Sequence, residues 1–243
     1  MRLTRVHVPG PLVAATRCII AGDAAGHITR VLRLGAGDAL MLFDGRGGEY
    51  PARIESLGKH AVIVTTGERR AVERESSLRL TLAQGISRGE RMDWVVQKAT
   101  ELGVSRIVPV LTERSVVRLD ARQAEAKRRH WQAVAVAACE QSGRDRLAEV
   151  AAPVSLEAFL STVLPGGLRL LPSPEAPRGL EALEIPAGEL TVLIGPEGGL
   201  AAGERRAARD RDFQPVRLGP RVLRTETAAV AALALLQHRF GDL

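Results

Sequence analysis

The polar stretch "GERRAVERESS" (67–77) separates two patterns of apolar residues that no single layer can satisfy. Ahead of it lie "RVHV" (5–8), "DALMLFD" (38–44), "EYPARIES" (49–56) and "HAVIVTTG" (60–67), short runs bounded by turn residues. Such runs predict strands. "FDGRGGEY" offers Asp44-Gly45 and Gly47-Gly48 as a hairpin connection. "DAAGHITRVLRL" (23–34) has apolar residues at helical spacing and predicts one short helix. This part predicts a small β-barrel. Beyond the stretch, strands and helices alternate. "LRLTLAQG", "RIVPVL", "LRLLP" (168–172) and "ELTVLIG" (189–195) predict strands. "GERMDWVVQKATELG" (89–103) predicts a helix with Met92, Val95, Val96, Ala99 and Leu102 on one face, and a longer helix runs from about Ala121 to Ser142. Alternation of this kind predicts a mostly parallel sheet covered by helices. The expected division is 1–72 and 73–243.

Two loops follow strands near the end of the chain. Leu190 to Ile194 empties into Gly195-Pro196-Glu197-Gly198-Gly199, and Val216 to Leu218 empties into Gly219-Pro220, a basic pair (Arg221, Arg224) and a helix with Thr225 and Thr227 as candidate N-caps. Open α/β sheets bind ligands beyond the carboxyl ends of their strands. Neither loop carries the Lys-Ser/Thr pair of a nucleotide P-loop. The glycine spacing is not that of a dinucleotide fingerprint either. Read from the residues alone, the first loop is either a ligand cradle or a plain glycine turn. The final helix, with its alanine-rich face, suits either close helix packing or an ordinary amphipathic role.

Charge and composition narrow the chemistry. The net charge of +6 suits an anionic partner such as nucleic acid without demanding one. Aromatic residues at 3% are too few for base stacking on an aromatic-studded sheet. The five histidines and the cysteines Cys18 and Cys139 lack metal-ligand spacing, so no metal is expected. Ser87, Ser105 and Ser115 lack a nucleophile-elbow context. The absence of a signal-like segment and of any apolar run long enough to span a bilayer leads to the expectation of a cytoplasmic protein with no membrane partner. Transfer chemistry with an organic cofactor, or plain binding, is left.

"LIGPEGGL" followed by "RLGPRVLRTETA" resembles the ribosomal RNA small-subunit methyltransferase E family. "RMDWVVQKATELGVSRIVPVLTERSVV" and "RRHWQAVAVAACEQSGR" are similar to that family's other signature blocks, so the resemblance spans nearly the whole chain. It implies an α/β fold, with a SPOUT-type trefoil-knotted methyltransferase domain preceded by a small PUA-like β-barrel. Implied too are S-adenosylmethionine as cofactor, N3 of a uridine in 16S rRNA of the small ribosomal subunit as target, and a homodimer. Three loops would hold the cofactor: Leu170, Leu171 and Pro172; Gly195, Pro196, Glu197, Gly198 and Gly199; and Leu218, Gly219, Leu223, Arg224 and Thr227.

Uridine N3 must lose a proton, which calls for a base or an anion stabiliser. Arg224 is the candidate cation, and Glu226 or Glu101 the candidate acceptor. Arg224 would serve equally to anchor cofactor or phosphate, Glu226 to complement a helix dipole, and Glu101 as an ordinary surface residue. Candidate RNA contacts are Arg2, Arg5, Gln84, Arg88, Lys98, Arg114, Arg118, Gln141 and Arg144. The chain departs from the family at Asp212, where a glycine is common, and in the late position of Pro153. Rival readings are a SPOUT enzyme for a different nucleotide and a non-catalytic ribosome-assembly factor.

Overall fold

The computed structural model describes residues 3–163, 166–184 and 189–243. The chain forms two compact units, one of residues 1–75 with 139–147, the other of 76–138 with 148–243.

The first unit is a five-stranded sheet in the order β1-β3-β4-β5-β2. The strands are β1 (Arg5–His7), β2 (Arg17–Ala21), β3 (Ala39–Phe43), β4 (Tyr50–Leu57) and β5 (Ala61–Thr66). β1 runs parallel to β3, and the other pairs are antiparallel. Ile20, Leu40, Leu42, Ile54, Val62 and Val64 meet in its core with Ile28. The expected helix over 23–34 is shorter and broken. A five-residue helix α1 (Gly22–Gly26) passes into a π-helical turn, His27–Val31. Arg33, at a φ of 54°, then turns the chain out of the helix. Residues 139–147 join this unit through specific bonds: the Gly48 amide donates to Asp145 Oδ2 at 2.5 Å, and Arg144 pairs with Glu75.

The second unit is a seven-stranded sheet. Its strands are β6 (Arg79–Gly85), β7 (Arg106–Leu111), β8 (Glu149–Val150), β9 (Val154–Ser155), β10 (Leu168–Pro172), β11 (Glu189–Ile194) and β12 (Gln214–Val216). The order is β12-β10-β11-β6-β7-β8, with β9 also on β7. Every pairing is parallel. Its helices are α2 (Arg91–Glu101), α3 (Ala121–Ser142), α4 (Leu156–Thr162), α5 (Ala202–Arg209) and α6 (Thr225–Phe240), the last turn of α3 belonging to the first unit.

Because successive strand residues face opposite sides, each strand supplies two cores. Leu80, Leu82, Ile107, Leu170 and Val192 pack with Met92, Val95 and Val96 of α2, Trp131 of α3, and Ala229, Ala232 and Leu233 of α6. Ala83, Val108, Leu171 and Leu193 face the other way, onto Leu156, Phe159 and Leu160 of α4 and Ala208 and Phe213. Polar side chains fix the helices. Asp93 of α2 accepts from Trp131 Nε1 at 3.0 Å. Gln237 of α6, fully buried, donates to Leu102 O at 2.8 Å and accepts from Ser76. Asp120 caps α3 by accepting from the Gln123 amide.

Asp212 has a φ of 63°, the left-handed conformation that glycine adopts without strain. Aspartate tolerates it better than most residues, and here its carboxylate lies 3.1 Å from Arg169. Among the described residues no helix is long and apolar enough to cross a membrane, and no three His, Cys, Asp or Glu side chains gather as a metal site requires.

Phe213 is 1% exposed and stacks at a tilt on Phe159. Phe213→Ala is expected to destabilise the second unit by about 3–5 kcal/mol, through lost burial and the cavity left behind. Urea denaturation followed by tryptophan fluorescence measures it, since both tryptophans, Trp94 and Trp131, lie in that unit.

Candidate active site

The ends of β12, β10, β11 and β6 lie side by side, because Pro172 pairs with Val216, Leu170 with Val192 and Gln84 with Ile194. Three loops leave this edge together and enclose a cleft. Pro172, Ser173 and Pro174 form one wall, Ile194 and Gly195 the floor, and Leu218, Gly219, Arg221, Val222 and Leu223 the far wall, with Ala228 of α6 behind. Arg221 is the only ionisable side chain among these lining residues. Apart from the Ser173 hydroxyl, the rest is apolar surface and backbone.

Where these loops touch, glycine is required at position 85 and leaves little room to spare at 195. A Cβ on Gly85 would lie 2.6 Å from Pro196 Cδ and 2.8 Å from the Gly195 carbonyl carbon. A Cβ on Gly195 would lie 3.1 Å from Gly199 C and Leu200 N. The loop closes on itself, with the Gly199 amide donating to Pro196 O at 2.8 Å and Gly199 at a φ of 66°. Thr225, the first residue of α6, donates its hydroxyl to Gly195 O at 2.6 Å. It does not act as the expected N-cap; Arg224 holds that position without a side-chain bond.

Glu197 points away from the cleft lining. Its Oε1 accepts from the Arg88 amide at 3.0 Å and from Arg91 Nη1 at 2.8 Å. Burial pushes its carboxyl up, but those two donors and its own backbone N–H outweigh burial and hold it below the ordinary value. Arg91 Nε also lies 3.9 Å from Glu226 Oε1. The second oxygen, Glu226 Oε2, is buried with no hydrogen-bond partner among the described residues. One guanidinium thus faces two carboxylates, on the loop and on α6.

A sequence profile described as an RNA methyltransferase domain matches residues 74–237, and one described as an RNA methyltransferase PUA domain matches residues 20–66. The ribosomal RNA small subunit methyltransferase E of Bacillus subtilis is 31% identical over 228 residues, 90% of this chain and 89% of that protein. Its counterpart from Synechocystis is 36% identical over 94% of this chain and 75% of its own length. The chain belongs to the ribosomal RNA small subunit methyltransferase E family. It is an enzyme, an RNA methyltransferase with a mixed α/β fold and a PUA-like domain. Two solved structures match over 100% of both chains. One is a putative methyltransferase from Legionella pneumophila in complex with the bound cofactor SAM, at 39% identity and a TM-score of 0.96. The other is the family member from Neisseria gonorrhoeae bound to S-adenosyl methionine, at 35% identity and 0.92.

Of the residues assigned to the cofactor from the family resemblance, Pro172, Gly195, Leu218, Gly219 and Leu223 line the cleft. Leu170 and Leu171 are strand residues turned into the two cores. Pro196 is buried beside Gly85, while Glu197, Gly198, Gly199, Arg224 and Thr227 lie outside the lining. Ser173, Pro174, Ile194, Val222 and Ala228 line it without having been singled out; the proline-rich run directly after β10 is the signal that points to the first two.

Three expected RNA contacts are corrected by burial. Gln84 is 0% exposed and bonded to Thr225. Arg5 is buried, paired with Glu49 and bonded to Arg144 O. Arg144 is buried and paired with Glu75. Their charges and amides are spent inside the protein, as buried polar groups must be. Arg88, Arg114, Arg118 and Gln141 are exposed. Arg114 donates to Gly198 O at 3.1 Å, which sets it beside the Gly-Pro-Glu loop. Lys98 is held by Glu101 at 2.8 Å, so this candidate base already has a cationic partner. Arg2 lies outside the described residues.

The lowered Glu197 value has a pH consequence. Its stabilising contribution is present above the unfolded value, 4.5 for an ordinary glutamate, and is lost as pH falls through the lower folded value. Stability curves of the wild type and Glu197→Gln are therefore expected to separate above pH 4.5 and converge below it, by a small amount because the Arg91 pair is part-exposed. Urea midpoints measured from pH 6 to pH 3 check the sign.

Proposed function

We propose that this chain transfers a methyl group from S-adenosylmethionine to N3 of a uridine in 16S rRNA of the small ribosomal subunit, working in the cytoplasm as a homodimer. The observation that carries the reading is the glycine- and leucine-walled cleft at the strand ends, in a chain that matches two SAM-bound structures along its full length.

The cleft fits such a ligand on its own chemistry. Ile194, Leu218 and Leu223 offer apolar surface for an adenine ring, and the backbone at Gly195 and Gly219 is free of Cβ atoms that would keep a ring edge away. No lysine lines it, which agrees with a ligand that has no phosphate. Bound there, S-adenosylmethionine supplies an electrophilic methyl group on a sulfonium.

The chain's own residues then have to remove or neutralise the N3 proton. Glu226 is the favoured acceptor, because one of its oxygens is buried and unpartnered, whereas Glu101 is engaged by Lys98. Arg224, exposed at the N-terminus of α6, is suited to stabilise the uracil anion. The helix N-terminus adds a positive dipole end beside it.

RNA would be held by the exposed Arg88, Arg114, Arg118 and Gln141, together with Lys98 and with the first 72 residues as a PUA-like barrel. Binding through arginine-phosphate contacts should weaken steeply with salt. The cofactor loops would form a SPOUT-type trefoil knot, with residues 73–243 as the methyltransferase domain. A second copy would cover apolar groups that remain exposed, Trp94 on α2, Leu235 on α6 and Val222, which is 82% exposed.

Incubation with tritiated S-adenosylmethionine and small subunits from a strain lacking this enzyme is expected to label 3-methyluridine in the digested 16S rRNA. Label in another nucleotide, or none, overturns the reading. Gly85→Ala, which drives a methyl group into the Gly195–Pro196 backbone, is expected to weaken S-adenosylmethionine binding by about tenfold or more in calorimetry.

A further inference from the structure

Gln84, the last but one residue of its strand, carries an amide that reaches no solvent, 0% exposed, just before the glycine that touches Pro196. Its Nε2 donates to Gly85 O at 3.0 Å and to Thr225 Oγ1 at 2.9 Å. Both protons of the amide are thereby used. Thr225, itself buried, has one hydroxyl proton and gives it to Gly195 O at 2.6 Å. Toward Gln84 it can only accept. The direction of the chain is therefore fixed, from Gln84 to Thr225 to Gly195. Turning the amide over would set Oε1 against the Gly85 carbonyl and leave Thr225 without a donor. The cost of this order is visible: Gln84 Oε1 is buried with no partner among the described residues.

Each link lies on a different element. Gln84 lies on β6, Gly195 follows β11 and lines the cleft, and Thr225 begins α6. We propose that Gln84 and Thr225 are positioning residues, a one-way hydrogen-bond relay that fixes the Gly195 carbonyl and so sets the floor of the cofactor cleft. Neither residue lines the cleft. Both act through Gly195. An orphaned buried acceptor is an unfavourable feature for stability alone, and a methionine in its place would remove the orphan together with the relay. The relay therefore separates cleft geometry from fold stability. The inference rests on reading the cleft as the S-adenosylmethionine site, but its first readout does not need the cofactor.

Four variants test it: Gln84→Met, Gln84→Glu, Thr225→Val and Thr225→Ser. In cofactor-free protein, amide exchange at Gly199, whose N–H closes the loop onto Pro196 O, is expected to rise about tenfold in Gln84→Met and Thr225→Val. Thr225→Ser keeps the hydroxyl and should stay within about twofold of wild type. Gln84→Glu should behave as a weakened relay, since burial keeps its carboxyl protonated and that single proton cannot serve both Gly85 O and Thr225 Oγ1. Calorimetry with S-adenosylmethionine is expected to show about tenfold weaker binding for Gln84→Met and for Thr225→Val, with KM raised more than kcat is lowered. The double variant should be no weaker than either single one, because one relay can be broken only once. Urea midpoints for Gln84→Met should stay near wild type, because removing the orphaned Oε1 offsets the bonds lost with Nε2. Unchanged Gly199 exchange in Thr225→Val overturns the relay, as do additive losses in the double variant or a loss of affinity that only follows a loss of stability. Should the wild type bind no S-adenosylmethionine, the cofactor reading fails, and the exchange result alone decides the relay.

Discussion

Backbone pressed against backbone at Gly85 and Gly195–Pro196 is the constraint on which the rest of the site depends. The two strands that carry these residues are parallel neighbours in continuous register from Arg79 with Glu189 to Gln84 with Ile194. A slip of one residue would exchange Leu80 and Leu82 with Thr81 and Ala83 between the two cores. The register is held by burial on both faces, and it delivers the glycine of one strand to the proline after the other. Nothing larger than hydrogen fits there. The loop can then close over Gly199, and its floor residue faces the space between the three strand ends.

Two kinds of polar contact hold that loop, and their magnitudes differ. The Glu197–Arg91 pair is part-exposed, at 28% and 45%, and pairs of this sort contribute about 0–1 kcal/mol each. The bonds around Thr225 are buried, where losing one partner costs roughly 1–3 kcal/mol. Glu197, the conspicuous carboxylate of the glycine loop, is therefore a tether on the outer side. The inconspicuous Gln84 and Thr225 set the inner side. Charge draws attention in a sequence, but exclusion from water decides what a contact is worth.

The second unit was largely legible because its elements are long or doubly buried. The long helix begins after Asp120 and ends at Ser142, with Gly143 next, where the sequence signals stand. The apolar runs at 168–172 and 189–194 are strands. Legibility failed where one face of a short element is exposed. Strand β2 holds Ile19 68% exposed and Ile20 buried, a pattern too brief to show a period. It also failed at residues 139–147. Their bonds to Gly48 and Glu75 belong to the first unit, although in sequence they continue a helix of the second.

By itself the sequence determined the two patterns of layering, the loops at the strand ends, and membership of a methyltransferase family. These follow from local periodicity, turn chemistry and blocks of residues kept in order. Tertiary structure decided which polar side chains face water and which face one another. Arg5, Gln84 and Arg144 read as surface groups in the sequence and are buried in the fold. A side chain's hydrogen-bond partner depends on strand order and register, and those bring together residues as far apart as Gln84 and Thr225. No local pattern encodes that distance.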